Sequence, residues 1–138
     1  MTQKVRNEFD KEKIMMEETN EEKTTDKQTY IVDIPAETSS SGCEETNACY
    51  VPTNITINVG DTIEWINEDT ATHTASSGSL EGVPTFVFNS SLIREGVSFE
   101  FTFEEIGTYD CYCMIHPWMI GSISVRKQKT FLLISYFI

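Results

Sequence analysis

The stretch Gly107–Gly121 constrains this chain more than any other. It starts as an alternating run, Gly107-Thr108-Tyr109-Asp110-Cys111-Tyr112-Cys113. It then turns through a short loop and returns toward a second alternating run, Ser122-Ile123-Ser124-Val125. Inside the loop, Cys113, His116 and Met119 are each separated by two residues, so a tight turn can aim all three at one point. A thiolate, two imidazoles and a weak axial thioether make the trigonal site that copper uses for electron transfer. The loop supplies one imidazole, and His73 is the only other histidine in the chain. A lone histidine is more often structural than a ligand. For His73 to serve, the fold must lay two loops side by side that are forty residues apart in sequence.

The rest of the chain reads as short strands and turns. Tyr30–Ile34 is a strand stopped by Pro35. Ile55-Thr56-Ile57-Asn58-Val59 alternates and ends in the turn signal Gly60-Asp61. Thr62–Asn67 comes next, with Trp65 expected in the core, and His73 is expected to open a short strand after a polar loop. Gly78–Pro84 is read as a loop, Thr85–Asn89 as a short apolar segment, and Ser90–Gly96 as a connection or a helical turn. Val97–Phe103 alternates over seven residues, which points Val97, Phe99, Phe101 and Phe103 toward a core. Many short strands with few helical patterns predict an all-β fold, an antiparallel Greek-key β-sandwich. Alternation also puts Cys111 on the same inward face as Cys113, where a small buried thiol is the simplest reading.

The pattern Cys113-x-x-His116-Pro117-Trp118-Met119-x-Gly121 resembles the ligand loop of the cupredoxins, in particular the plastocyanin and amicyanin branch. Trp65–His73 resembles the segment that bears that family's first histidine, and Val59-Gly60-Asp61 fits the turn before it. The likeness runs from about Tyr30 to Arg126. It implies a cupredoxin-type sandwich holding one copper ion that cycles between Cu(II) and Cu(I). His73 and His116 would be the nitrogen ligands, Cys113 the thiolate and Met119 the long axial ligand. It implies electron exchange through the edge of His116, within an apolar patch for which Pro117 and Trp118 are the candidates; core packing competes for Trp118. Two departures stand out. Ile115 replaces the proline that amicyanin-like loops carry before the second histidine, so it keeps a backbone N–H that can reach the Cys113 sulfur. Thr74 stands where plastocyanins often have asparagine, which puts the family's side-chain bridge between the two ligand loops in doubt.

Domain organisation is read as a charged tail over 1–28, a copper-binding domain over 29–126 and a basic, then apolar, tail over 127–138. The final apolar run is too short to cross a bilayer as a helix, which needs about 20 residues. Residues 1–28 lack the apolar run of a signal peptide, and a mis-set start or a missing upstream segment is preferred to a domain that works in the cytosol. Cys43 and Cys49 admit three readings: a disulfide, a metal pair or free thiols. The disulfide is favoured, because no further histidine is available to complete a metal site. It argues for an oxidising compartment, the periplasm or the cell surface. Removing it is expected to lower stability and leave a copper spectrum unchanged.

Net charge is −12, with fourteen acidic and two basic side chains, Arg94 and Arg126, between Thr29 and Arg126. Such a surface repels nucleic acid and steers toward basic proteins. The expected partners are transient redox proteins meeting a monomer, with membrane association left open. The function expected is a one-electron copper carrier. The alternatives are a copper carrier or storage protein, and the electron-transfer domain of a larger membrane-associated or multicopper redox protein. Two histidines are too few for oxygen or nitrite chemistry within this polypeptide, so it is not read as an enzyme.

Overall fold

A computed structural model describes residues 26–79, 85 and 87–128, nearly all of them in one compact body over Lys27–Lys127. The expectations for the N-terminal tail, the apolar C-terminal run and most of the Gly78–Pro84 loop fall outside the described residues. Among the described residues, seven strands run in order: β1 (Thr29–Ile34), β2 (Asn54–Asn58), β3 (Thr62–Asn67), β4 (Ser76–Ser77), β5 (Ser98–Thr102), β6 (Gly107–Tyr112) and β7 (Ile120–Arg126). A 3-10 turn, Cys43–Thr46, lies between β1 and β2. The strands form a three-stranded sheet, β1-β3-β5, and a four-stranded sheet, β2-β7-β6-β4. This is the expected all-β sandwich.

Both sheets are mixed. β1 runs parallel to β3, and β2 parallel to β7, while the β3–β5, β6–β7 and β4–β6 pairings are antiparallel. Alternation reports which face of a strand is buried, and a parallel neighbour buries the same face as an antiparallel one. The direction of pairing therefore left no mark in the pattern.

The core lies between the sheets. Val32, Ile34, Ile63 and Trp65 come from the first, and Ile57, Cys111, Ile123 and Val125 from the second. Trp65 stacks on Phe88 and Phe99, with ring centroids 5.2 and 5.7 Å apart. Phe103 is buried, and Phe99 and Phe101 pack against the core from half-buried positions. Val97 departs from the expectation, being 48% exposed. It precedes β5 in a turn closed by its own N–H to the Arg94 carbonyl, so it never joins the pleat that would turn it inward. Ser90–Gly96 is a connection rather than a helical turn, with bridges from Asn89 to Ser76 and from Ile93 to His73 at its start and middle.

Two turns explain how the strands reach the site. Gly60 adopts φ 96°, which a residue without a Cβ reaches at no steric cost. Asp61 beside it is buried, and its carboxylate accepts the N–H groups of Asn58 and Gln28, tying the β2–β3 turn to the start of β1. Gly121 has a different task. A Cβ there would lie 2.8 Å from the Thr53 carbonyl oxygen, so β7 can pass this close only with glycine.

Cys43 and Cys49 are joined as a disulfide, which closes the loop between β1 and β2. Replacing both with serine is expected to cost about 2 kcal/mol on the chain-entropy account. Calorimetry should record a fall in Tm of order 10 °C. An unchanged Tm would mean that packing alone holds this loop.

Candidate metal centre

The first half of the site is built on the segment that leaves β3. Asn67 ends that strand fully buried, and its side chain organises the loop leading to His73. Its Nδ2 donates to the carbonyls of Ala71 and Ile93 at 2.8 and 2.9 Å, and its Oδ1 accepts the Asp69 N–H at 2.8 Å. His73 then pairs with Ile93 through both backbone groups, His73 N–H to the Ile93 carbonyl at 3.1 Å and the reverse at 2.8 Å. A buried backbone with all its polar groups satisfied has one geometry to adopt. The His73 ring is wholly buried, with Nε2 at 2.7 Å from Asp69 Oδ2 and 3.3 Å from Thr38 Oγ1.

The second half is the loop between β6 and β7. It closes on itself through the Cys113 N–H to the Met119 carbonyl at 3.2 Å and the Met119 N–H to the His116 carbonyl at 3.0 Å. These bonds turn the even two-residue spacing into convergence. Cys113 Sγ lies 3.9 Å from His73 Nδ1 and 3.6 Å from His116 Nδ1, and the two Nδ1 atoms are 3.1 Å apart. All three atoms fall within 4.8 Å of one another. Met119 is fully buried and belongs to the same core cluster as Cys113. The structure thus brings together His73, Cys113 and His116 and buries Met119 on the same loop.

Thr74 joins the halves. Its N–H donates to Cys113 Sγ at 3.3 Å, and its Oγ1 accepts the Met114 N–H at 2.9 Å. Its carbonyl accepts the Tyr50 hydroxyl at 2.7 Å. The bridge between the ligand loops, which the threonine had put in doubt, is therefore made by the threonine itself. Its hydroxyl is free to accept because its own proton goes to Ser76 Oγ at 3.1 Å, and Ser76 donates onward to Asn89.

The electrostatics are set by this wiring. Burial alone would push the Cys113 thiol up. The His73 ring, when it carries a proton on both nitrogens, and the N–H groups of Thr74, Ile115 and His116 outweigh it and hold the thiol below its usual range. His73 is disfavoured as a cation by burial, yet Cys113 and Asp69 together raise its pKa. His116 is lowered, first by burial and then by the charge of His73. Asp69 is lowered because the His73 ring and the N–H groups of Glu37 and Thr70 overcome its burial. Two imidazole nitrogens 3.1 Å apart beside a sulfur cannot all present lone pairs to each other: one nitrogen must carry a proton, or a cation must lie between them. A thiolate with two imidazoles suits both oxidation states of copper, so the residues present fit that metal.

Cys111 is buried two residues before Cys113, and burial pushes its thiol up to about 12. It is an inert packing group. A second cluster, Cys43, Glu44 and Cys49, has its two sulfurs bonded to each other, which removes them as metal donors. Trp118 is half-buried, donates from Nε1 to the Thr38 carbonyl at 3.0 Å and stands 5.5 Å from the His116 ring, so it packs against the site and also borders it. Pro117 is exposed.

Residues 36–126, about two thirds of the chain, match the model of the copper binding proteins, plastocyanin/azurin family. The chain belongs to that family. It is a cupredoxin, and its cofactor is copper. Amicyanin from Paracoccus versutus is 29% identical over 75% of this chain and 76% of its own length. Amicyanin from Paracoccus denitrificans is 31% identical over 56% of this chain and 58% of its own length. Among solved structures, the novel purple cupredoxin from Nitrosopumilus maritimus superposes with a TM-score of 0.63 at 34% identity, covering 70% of this chain and 98% of that one.

Four residues of this cupredoxin's site were not singled out in the sequence: Asn67, Asp69, Thr38 and Tyr50. Asp69 carried one usable signal, a carboxylate four residues before the histidine. Thr38 and Tyr50 reach the site from the disulfide-closed loop region, and nothing in their local sequence announces it.

Proposed function

We propose that this cupredoxin is a one-electron carrier, with His73, Cys113 and His116 as the three close ligands of its copper and Met119 as the axial one. Bound there, copper supplies a Cu(II)/Cu(I) couple. The observation that carries the reading is the convergence of a thiol held toward its thiolate and two Nδ1 atoms within 4.8 Å, fixed by hydrogen bonds from two separate loops. Donors fixed by the scaffold move little when charge changes, which is the requirement for fast electron exchange. A protein that releases and reloads metal would gain from loops free to open.

His116 is the donor residue that reaches the surface, while His73 and Cys113 are sealed. Around it Met114 and Ile115 are 51% and 44% exposed, and Pro117 is exposed. That rim suits brief contact with a partner, a weak interface under about 1,200 Å². The net charge of −12 favours basic redox proteins and disfavours nucleic acid. The Cys43–Cys49 disulfide supports an extracytoplasmic compartment. We read the carrier as a monomer.

Loading the reduced-thiol protein with copper(II) is expected to give an intense thiolate-to-copper visible band and a reversible one-electron wave in voltammetry. A pale spectrum with rapid metal exchange would replace the carrier with a copper-storage protein.

A further inference from the structure

Asp69 is a buried carboxylate, 3% exposed, in a position for which the electron-carrier reading alone gives no reason. Its two oxygens are used differently. Oδ1 accepts the backbone N–H groups of Glu37 at 2.8 Å and Thr70 at 2.9 Å. Oδ2 is left to face His73 Nε2 at 2.7 Å. Thr38 Oγ1, the other neighbour of Nε2, donates its own proton to the Pro35 carbonyl at 2.9 Å and so presents a lone pair. Nε2 therefore meets two acceptors and no donor. In a neutral imidazole one nitrogen donates and the other accepts, and the tautomer is set by the partners.

We propose that Asp69 is a positioning residue that locks His73 in the Nε2–H tautomer, leaving the Nδ1 lone pair aimed at Cys113 and His116. The Glu37 N–H and the Pro35 and Thr38 contacts come from the stretch leading into the disulfide loop, so that stretch acts on the site through Asp69 and Thr38. The consequence for metal binding rests on the copper-ligand reading above. The tautomer does not.

The arrangement makes an unusual prediction for the isosteric variant. In Asp69→Asn, the N–H groups of Glu37 and Thr70 claim the single amide oxygen. The amide NH₂ must then face Nε2, which can only accept, and the ring proton moves to Nδ1. Presenting Nδ1 to a metal would require rotating the amide, which turns its NH₂ toward the Glu37 and Thr70 N–H groups and takes away their acceptor. Asp69→Ala leaves only Thr38 at 3.3 Å and lets both tautomers form.

The test is ¹⁵N NMR of the His73 ring in metal-free, labelled wild-type, Asp69→Asn and Asp69→Ala proteins, at a pH where the ring is neutral. Nε2–H in the wild type, Nδ1–H in Asp69→Asn and a mixture in Asp69→Ala are expected. One tautomer shared by all three would overturn the proposal. Copper(II) competition gives the second arm: a loss of affinity of roughly 10–100-fold in Asp69→Asn, larger than in Asp69→Ala. Wild-type affinity in Asp69→Asn would overturn it as well. Wild-type protein that binds no copper would sink the functional reading, and the tautomers would still decide the role of Asp69.

Discussion

Cys113→Ser is expected to abolish the thiolate-to-copper band completely while leaving the fold in place. The sulfur contributes two separable things. It is a buried group of modest size, and it is the one strongly basic soft donor in the set. Serine keeps the size. Its oxygen can accept the Thr74 N–H now directed at the sulfur, so the donor is not stranded. Serine cannot supply the donor chemistry, because its hydroxyl stays protonated under conditions in which Cys113, held below the ordinary thiol range by His73 and three backbone N–H groups, ionises. Copper(II) would then see two imidazoles and a neutral oxygen, and any colour that remains should be weak. Absorption spectra and thermal melts recorded together distinguish the outcomes. Loss of the band with a Tm near wild type assigns the thiolate. A variant that keeps the intense band would remove Cys113 from the site.

The parts of this site legible in the sequence are those where chemistry and spacing coincide in one short segment. Cys113, His116 and Met119 lie on a single turn, and the strand before it alternates because β6 is buried on one face. Phe103 was placed in the core by the same kind of alternation, and Trp65 by the usual fate of a tryptophan in an apolar run. His73 was legible only through resemblance, since its approach to Cys113 depends on two sheets packing and no local pattern encodes that. Thr74 shows the limit of reading by likeness. A different side chain from the one expected performs the bridge, because a hydroxyl whose proton is taken by Ser76 accepts as well as an amide oxygen does. Asp69 and Tyr50 act across long stretches of chain, and such contacts become visible only once the loops are laid together. The parallel pairings stayed hidden because burial alternates identically in either direction.

Cys111 supplies the other large effect, a loss of stability in alkali. Its folded pKa is raised to about 12 by burial, with the charges of Cys113 and Asp110 adding to the rise, against an ordinary thiol value near 9. The sign depends on which state releases the proton. Below about pH 9 the thiol is protonated in both states and stability is unaffected by it. Between about 9 and 12 the unfolded chain ionises at Cys111 and the folded one does not, so stability falls as pH rises through that window. Each pH unit there is worth about 1.4 kcal/mol, or about 2 kcal/mol lost by pH 10.5. Cys113 works in the opposite direction: its folded pKa is depressed, so its contribution grows as the pH rises through that folded value and is complete once the pH passes the unfolded thiol value. Tyr50, raised well above 10 by burial and by the neighbouring cysteines, adds to the alkaline loss at higher pH. Comparing metal-free wild type with Cys111→Ala keeps Cys113 in both proteins and removes the buried thiol together with the part of the Tyr50 shift that Cys111 causes. Urea unfolding in anaerobic buffer from pH 8 to 10.5 should show the variant less stable at pH 8, where it lacks the packed sulfur, and the gap narrowing by about 2 kcal/mol at the upper end. Parallel curves with no narrowing would mean that Cys111 ionises in the folded protein, and that the interior beside Cys113 admits water.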